Sequence, residues 1–150
     1  MRVSIGSDHA AILLRRAIAE HLEASGHLVD EIGPDEATQR VDYPDQAATV
    51  ARSVAAGTAD RGVLVCGTGI GMSIAANKIH GVRAALVHDT TTASLAAQHN
   101  QANVLCLGGR LLAIPFALTM VDAWLSTPFE TRHQARLDKV HGLETQGLER

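Results

Sequence analysis

Aromatic side chains are nearly absent: two phenylalanines, one tyrosine and one tryptophan in 150 residues. A core without rings has to be assembled from Ala, Val, Leu and Ile, small side chains that let helices lie close on a sheet. Charge of one sign is also scarce. A formal net charge of −3 provides no basic stripe or face for nucleic acid. No apolar run approaches the roughly 18 residues of a membrane span. The first residues, MRVSIGSDHAAILL, lack the unbroken apolar stretch and small-residue cleavage site of a signal peptide. The two cysteines, Cys66 and Cys106, form no C-x-x-C pattern and read as reduced thiols of a cytoplasmic protein. None of the eight histidines falls in H-E-x-x-H or another ligand spacing, so no metal is expected.

What is present is an alternation of short β-branched runs with Ala- and Leu-rich stretches. Strands are expected at 2–5, 27–32, 62–66, 82–87 and 103–107. Helices are expected at 10–24, from Pro44 to near Gly57, and at 71–78, 91–98 and 114–125. A charged last helix follows from about Glu130. Leu14, Ile18 and Leu22 recur at helical spacing, and Pro44 and Pro115 suit the first turn of a helix. Strands alternating with helices imply right-handed crossovers and one α/β domain: a doubly wound, mostly parallel five-stranded sheet with helices on both faces. Ligands of such sheets bind beyond the carboxyl ends of the strands. That rule selects Ser7-Asp8-His9, Gly33-Pro34, Cys66 to Gly71, His88-Asp89 and Gly108-Gly109-Arg110.

The segment VCGTGIG (65–71) is the most informative. It is neither a Walker loop nor a G-x-G-x-x-G fingerprint. Its glycines either let strand and helix pack closely or expose backbone N–H groups to an anion. A thiol at that doorway, Cys66, is either a small buried hydrophobe or, beside a helix N-terminus that favours thiolate, a nucleophile or general base. Cys106, inside VLCLGG, reads as core packing. Asp8 suits a helix N-cap, which leaves His9 at the same rim unexplained. His99 and Asn100 end a helix, where a dipole partner and a terminal cap are common, although histidine also trades protons near neutral pH. Arg132 and Arg136 lie one turn apart, as a solvated face or as a grip on phosphate.

Taken together, SDHA at the first strand end, DYPD (42–45), VCGTGIGMSIAANK (65–78), GVRAAL (81–86), QHNQANVLCLGGR (98–110), VDAWL (121–125) and RHQARL (132–137) resemble the type B ribose-5-phosphate isomerase family. That family includes allose- and galactose-phosphate isomerases. The resemblance implies a metal-independent aldose–ketose isomerisation of a sugar phosphate through a cis-enediolate, without cofactor. On it, Cys66 resembles the base between C1 and C2, and Thr68 and His99 the groups that open the sugar ring. The amides of Gly67, Thr68, Gly69, Ile70 and Gly71 resemble an anion hole. His9, Arg110, Arg132 and Arg136 resemble a phosphate clamp, while Asp8 and Asn100 contact sugar hydroxyls. A branch of the family that uses a glutamate base has it where this sequence has Met72, which places the chain with the cysteine branch.

The expected substrate is ribose 5-phosphate. Allose 6-phosphate, galactose 6-phosphate and a four-carbon erythrulose phosphate are the alternatives, and a non-catalytic sugar-phosphate-binding module is a further one. The resemblance also implies a homodimer or dimer of dimers with its site between subunits, no membrane partner, and a C-terminal helix packing on the partner. The polar tail from Leu143 to Arg150 is expected to be ordered only against a neighbour.

Overall fold

The computed structural model describes residues 1–146. Strands and helices alternate through β1 (Arg2–Ser7), α1 (Ile12–Ala24), β2 (Leu28–Ile32), α2 (Tyr43–Ala55), β3 (Arg61–Cys66), α3 (Ile70–Ala76), β4 (Ala84–Leu86), α4 (Thr90–Asn100), β5 (Val104–Gly108) and α5 (Ile114–Ser126). A 3-10 turn (Thr131–His133) then leads into α6 (Gln134–Gln146). The prolines act as expected, each in the first turn of its helix, Pro44 in α2 and Pro115 in α5. Leu14, Ile18 and Leu22 form the buried stripe of α1.

All strand pairs are parallel, in the order β2-β1-β3-β5-β4. The chain leaves β1 for β2 at one edge and returns to β3 on the other side of β1. The crevice between β1 and β3 is therefore the switch point, where doubly wound sheets bind ligands.

Side chains alternate across the sheet and divide the core in two. Val3, Ile5, Val63, Val65, Leu105 and Leu107 face α1, α4 and α5. Leu64, Cys66, Val104 and Cys106 face α2 and α3. Trp124, the only tryptophan, closes the first layer and donates its indole N–H to the Ala102 carbonyl at 3.0 Å. No helix among the described residues is long and apolar enough to cross a membrane.

Several boundaries differ from the sequence expectation, each for a tertiary reason. β1 continues to Ser7 because Gly6 and Ser7 pair with Leu64 and Val65 of β3. β4 shrinks to three residues at the sheet edge. Asp8 does not cap α1. Its Oδ1 accepts the Ala10 N–H at 2.9 Å, an Asx-turn that reverses the chain before the helix begins at Ile12. Asn100 is the last residue of α4 and not its cap; Gln101 caps the helix at φ 46°. The last helix is interrupted at its start by the 3-10 turn. Of the polar tail, residues 143–146 are already the end of α6, held to the same chain where Glu144 accepts the Gly81 N–H at 2.9 Å. Residues 147–150 lie outside the described residues.

Arg15 is the buried cation that fixes the first strand end. Its guanidinium pairs with Glu31 at 3.0 Å and donates to the Ser7 hydroxyl (3.2 Å) and the Pro34 carbonyl (3.0 Å). Gly33 sits at φ +134°, where a Cβ would come within 2.5 Å of Arg15 and of the Ser7 carbonyl. The loop after β2 is thereby tied beneath Asp8 and His9. Arg15→Met should destabilise the protein by about 2 kcal/mol or more, because Ser7 and the Pro34 carbonyl lose a buried donor. Urea denaturation with an unchanged m-value reads this directly, and an unaltered midpoint would contradict the assignment.

Candidate active site

Three strand ends converge on the switch point. The Asp8 N–H donates to the Val65 carbonyl (3.3 Å), Gly109 to Cys66 (2.8 Å) and Arg110 to Gly67 (3.0 Å), so β1, β3 and β5 share one backbone rim. Cys66, the last residue of β3, is 6% exposed. The Gly69 N–H donates to its sulfur at 3.1 Å, and the Ile70 N–H turns to the Thr68 hydroxyl at 3.3 Å. The loop satisfies these amides itself.

The loop has room for no other residues at its turns. Gly69 adopts φ +79°, and a Cβ there would lie 2.5 Å from Leu86 and 3.0 Å from the Leu107 backbone. At Gly71 a Cβ would meet the Tyr43 ring at 2.6 Å, so the DYPD segment covers the loop from the α2 side. The Arg110 side chain lies across Gly67, 3.3 Å from where its Cβ would be. His9 stands at the same rim beside Gly109, with its Nδ1 buried and unpartnered.

Cys106 is the counter-example on the same face. It lies in the middle of β5, burial pushes its thiol far up, and the neighbouring Cys66 adds to the shift. As the sequence indicated, it is core. Both thiols are free.

His99, Asn100, Arg132 and Arg136 are not at this rim. β4 ends near the rim, and α4 runs back from Asp89 for eleven residues, about 16 Å, to the opposite end of the sheet. There Arg83, just ahead of β4, donates to the Asn100 carbonyl at 3.2 Å. The His99 ring lies 4.4 Å from the His133 ring, centroid to centroid. Glu130 joins them to Arg132, and Arg136 approaches His133 at 3.4 Å. One chain therefore brings Asp8, His9, Cys66, Gly67, Thr68, Gly69, Ile70, Gly71 and Arg110 together, and it places the remaining four residues in a second cluster.

Sequence reasoning missed Glu130, His133, Tyr43 and Arg15. An E-x-x-H spacing, 130 to 133, was the available signal for the first two. His99, Glu130 and His133 have ligand atoms within 4.8 Å of one another. The carboxylate is already paired with Arg132 and another arginine borders His133, so the cluster is a poor host for a cation. Burial pushes the His133 imidazole down, with His99, Arg132 and Arg136 adding to the shift and Glu130 opposing it.

The fold and rim define a doubly wound α/β protein whose strand-end glycine loop presents a thiol and an arginine. Comparison with known proteins then fixes the family. The Ribose/Galactose Isomerase family model matches residues 3–140, and the chain belongs to that family. It is 41% identical to the Ribose-5-phosphate isomerase B of Escherichia coli, over 95% of this chain and 96% of that protein. It is 40% identical to the D-erythrulose-4-phosphate isomerase of Pectobacterium atrosepticum, over 97% of each. The crystal structure of Ribose-5-phosphate Isomerase B from Mycoplasma genitalium with bound Ribulose-5-phosphate superposes at a TM-score of 0.92, with 42% identity and 97% coverage of both chains.

Gly69→Ala should cost about 1–3 kcal/mol, since it combines a left-handed backbone with a clash against Leu107. Thermal unfolding measures the loss. A second expectation concerns pH. His133 is depressed in the folded state, so the unfolded chain binds the extra proton first. Its contribution is complete above the ordinary histidine range near 6.5 and is lost as pH falls below it. His133→Gln should flatten the fall in stability on acidification from pH 7 to pH 5, as read by denaturant midpoints.

Proposed function

We propose that this protein is a metal-independent aldose–ketose isomerase that interconverts ribose 5-phosphate and ribulose 5-phosphate through a cis-enediolate. The observation that carries the reading is the Cys66 sulfur, held at a strand end by a loop amide and overlaid by an arginine-bearing turn. Membership of the Ribose/Galactose Isomerase family supports it.

The chemistry follows from the rim. The Cys66 thiolate takes the proton from C2 of the open-chain aldose, and the electron pair moves to the carbonyl oxygen and forms the enediolate. The same thiol returns the proton to C1 while the hydroxyl proton passes from O2 to O1, so C2 becomes the carbonyl and atoms and charge balance over the cycle. Amides of the Gly67–Gly71 loop, now spent on Cys66 and Thr68, turn to the enediolate oxygens. A donor aimed at charge that develops only during reaction is worth roughly 10²–10³ in rate. The phosphate keeps its charge throughout and is held at a distance, so its binding energy goes into placing C1 and C2 beside the sulfur. His9 and Arg110 contribute to that clamp from this rim. Asp8 meets sugar hydroxyls, and Thr68 takes part in opening the ring.

Completing the site takes a second copy. We place His99 as the ring-opening acid, Asn100 on the sugar, and Arg132 and Arg136 on the phosphate, all contributed by the partner of a homodimer. The supporting fact is the separation of the two clusters within one chain, by about the length of α4. A two-fold axis that sets one end of the sheet against the other builds two whole sites from two split ones. Val140 and Leu143, exposed on α6, suit packing on that partner. Free thiols as the working groups fit a reducing cytoplasm.

Two experiments test this. In a metal-free assay of ribose, allose, galactose and erythrulose phosphates, ribose 5-phosphate should be turned over fastest, and Cys66→Ala should lose about 10²–10⁴-fold. Faster turnover of the four-carbon sugar would retain the mechanism and change the substrate. Mixing Cys66→Ala and His99→Gln chains should restore about a quarter of the wild-type activity, because half of randomly paired dimers then contain one intact site. No recovery despite demonstrated chain exchange would disprove the shared site.

A further inference from the structure

Glu130 has no task in the reaction as written, yet both parts of the second cluster meet on its carboxylate. From α4, the Gln98 side chain donates to Oε1 at 2.5 Å, and the Glu130 N–H donates back to the Gln98 carbonyl at 2.9 Å. From the 3-10 turn, the Arg132 guanidinium pairs with Oε2, and His133 Nε2 lies 3.7 Å from that oxygen. His133 is 6% exposed, and its Nε2 has no hydrogen-bond partner. His99 is stacked at a tilt of 43° on its ring.

Among the described residues, the other charges that act on His133 are all positive. α4 contributes His99, the 3-10 turn Arg132, and α6 Arg136, leaving Glu130 as the one anion that acts on His133. A buried imidazole beside another ring and two arginines resists a proton, as His133 does.

We propose that Glu130 is a positioning residue that couples the phosphate clamp to the ring-opening acid: its carboxylate holds Arg132 in place and provides the counter-charge that keeps one proton on the His99–His133 pair. This rests on the roles given to His99 and Arg132 above. A substrate phosphate competes with the carboxylate for Arg132. As the arginine turns to the phosphate, the freed carboxylate acts on the imidazoles alone. The proton needed to open the sugar ring is thus held most firmly when a phosphorylated sugar is present. No covalent step is added, and the proton is the one already assigned to His99.

The test is a titration of the histidine ring nitrogens by NMR in the wild-type dimer, Glu130→Gln and Glu130→Asp, alongside pH profiles of kcat on ribose 5-phosphate. Glu130→Gln keeps an acceptor for Gln98 and removes only the charge. The midpoint of the His99–His133 pair should fall by at least about half a pH unit, as expected for loss of a nearby anion at a partly solvated site. The corresponding limb of the kcat profile should move the same way, with kcat reduced about tenfold while KM changes less than about threefold. Glu130→Asp, which retains the charge, should recover most of the midpoint. An unchanged midpoint in Glu130→Gln overturns the proposal whether or not turnover falls. A shifted midpoint in a protein whose wild type turns over no sugar phosphate instead overturns the isomerase reading and leaves the electrostatic role of Glu130 standing.

Discussion

A wholly parallel sheet forces every connection to return the full length of a strand before the next can begin. Much of the molecule follows from that constraint. Strand ends gather on one rim, where β1, β3 and β5 are joined by backbone hydrogen bonds, and helix ends gather on the other. Residues that finish strands, such as Cys66, and residues that finish helices, such as His99, are kept apart by the same geometry that makes the fold. On the roles proposed above, one chain alone does not bring its strand-end base and its helix-end acid to one small substrate. Pairing two copies about a two-fold axis, as proposed, removes the conflict without bending either one.

The rim itself was legible in the sequence because its determinants are local. A run from Val63 to Cys66 followed by alternating glycines specifies a strand and a tight loop within nine residues, and the structure adds only the contacts that make the glycines obligatory. Asp8 shows the limit of local reading. An aspartate two to four residues ahead of a helix serves equally as an N-cap or as the acceptor of an Asx-turn. The choice was made by β1, which pairs with β3 as far as Ser7 and delays the helix to Ile12. Glu130 was legible only in part, through its E-x-x-H spacing to His133. Its significance lies in Gln98 and His99, over thirty residues away, and no periodicity within its own segment points to them.

On the roles proposed above, the second cluster combines a cationic phosphate clamp with a proton donor. Burial lowers the proton affinity of the His133 imidazole, and the bordering Arg132 and Arg136 lower it further. A site that needs both functions within a few ångströms requires an anion between them. Glu130 is in that position, fastened to α4 by two hydrogen bonds through Gln98, so that its place does not depend on Arg132.

On the proposed mechanism, the choice of base follows from where one β3 position and one α3 position lie. Cys66 and Met72 belong to the same buried layer, against α2 and the strand ends. The resemblance of the sequence implies a branch of the family with a carboxylate base where this chain has Met72. Here Met72 is fully buried and apolar, and it closes the layer behind the thiol. A carboxylate at that site would need its own charge compensated, whereas a methionine leaves the Cys66 sulfur as the one group in that layer able to take a proton and still reach the rim. Cys106, deeper in the same layer, has the same chemistry and no access. Cys106 of β5 pairs with Leu64, two residues before Cys66 in β3, and that difference in depth decides which thiol reaches the rim.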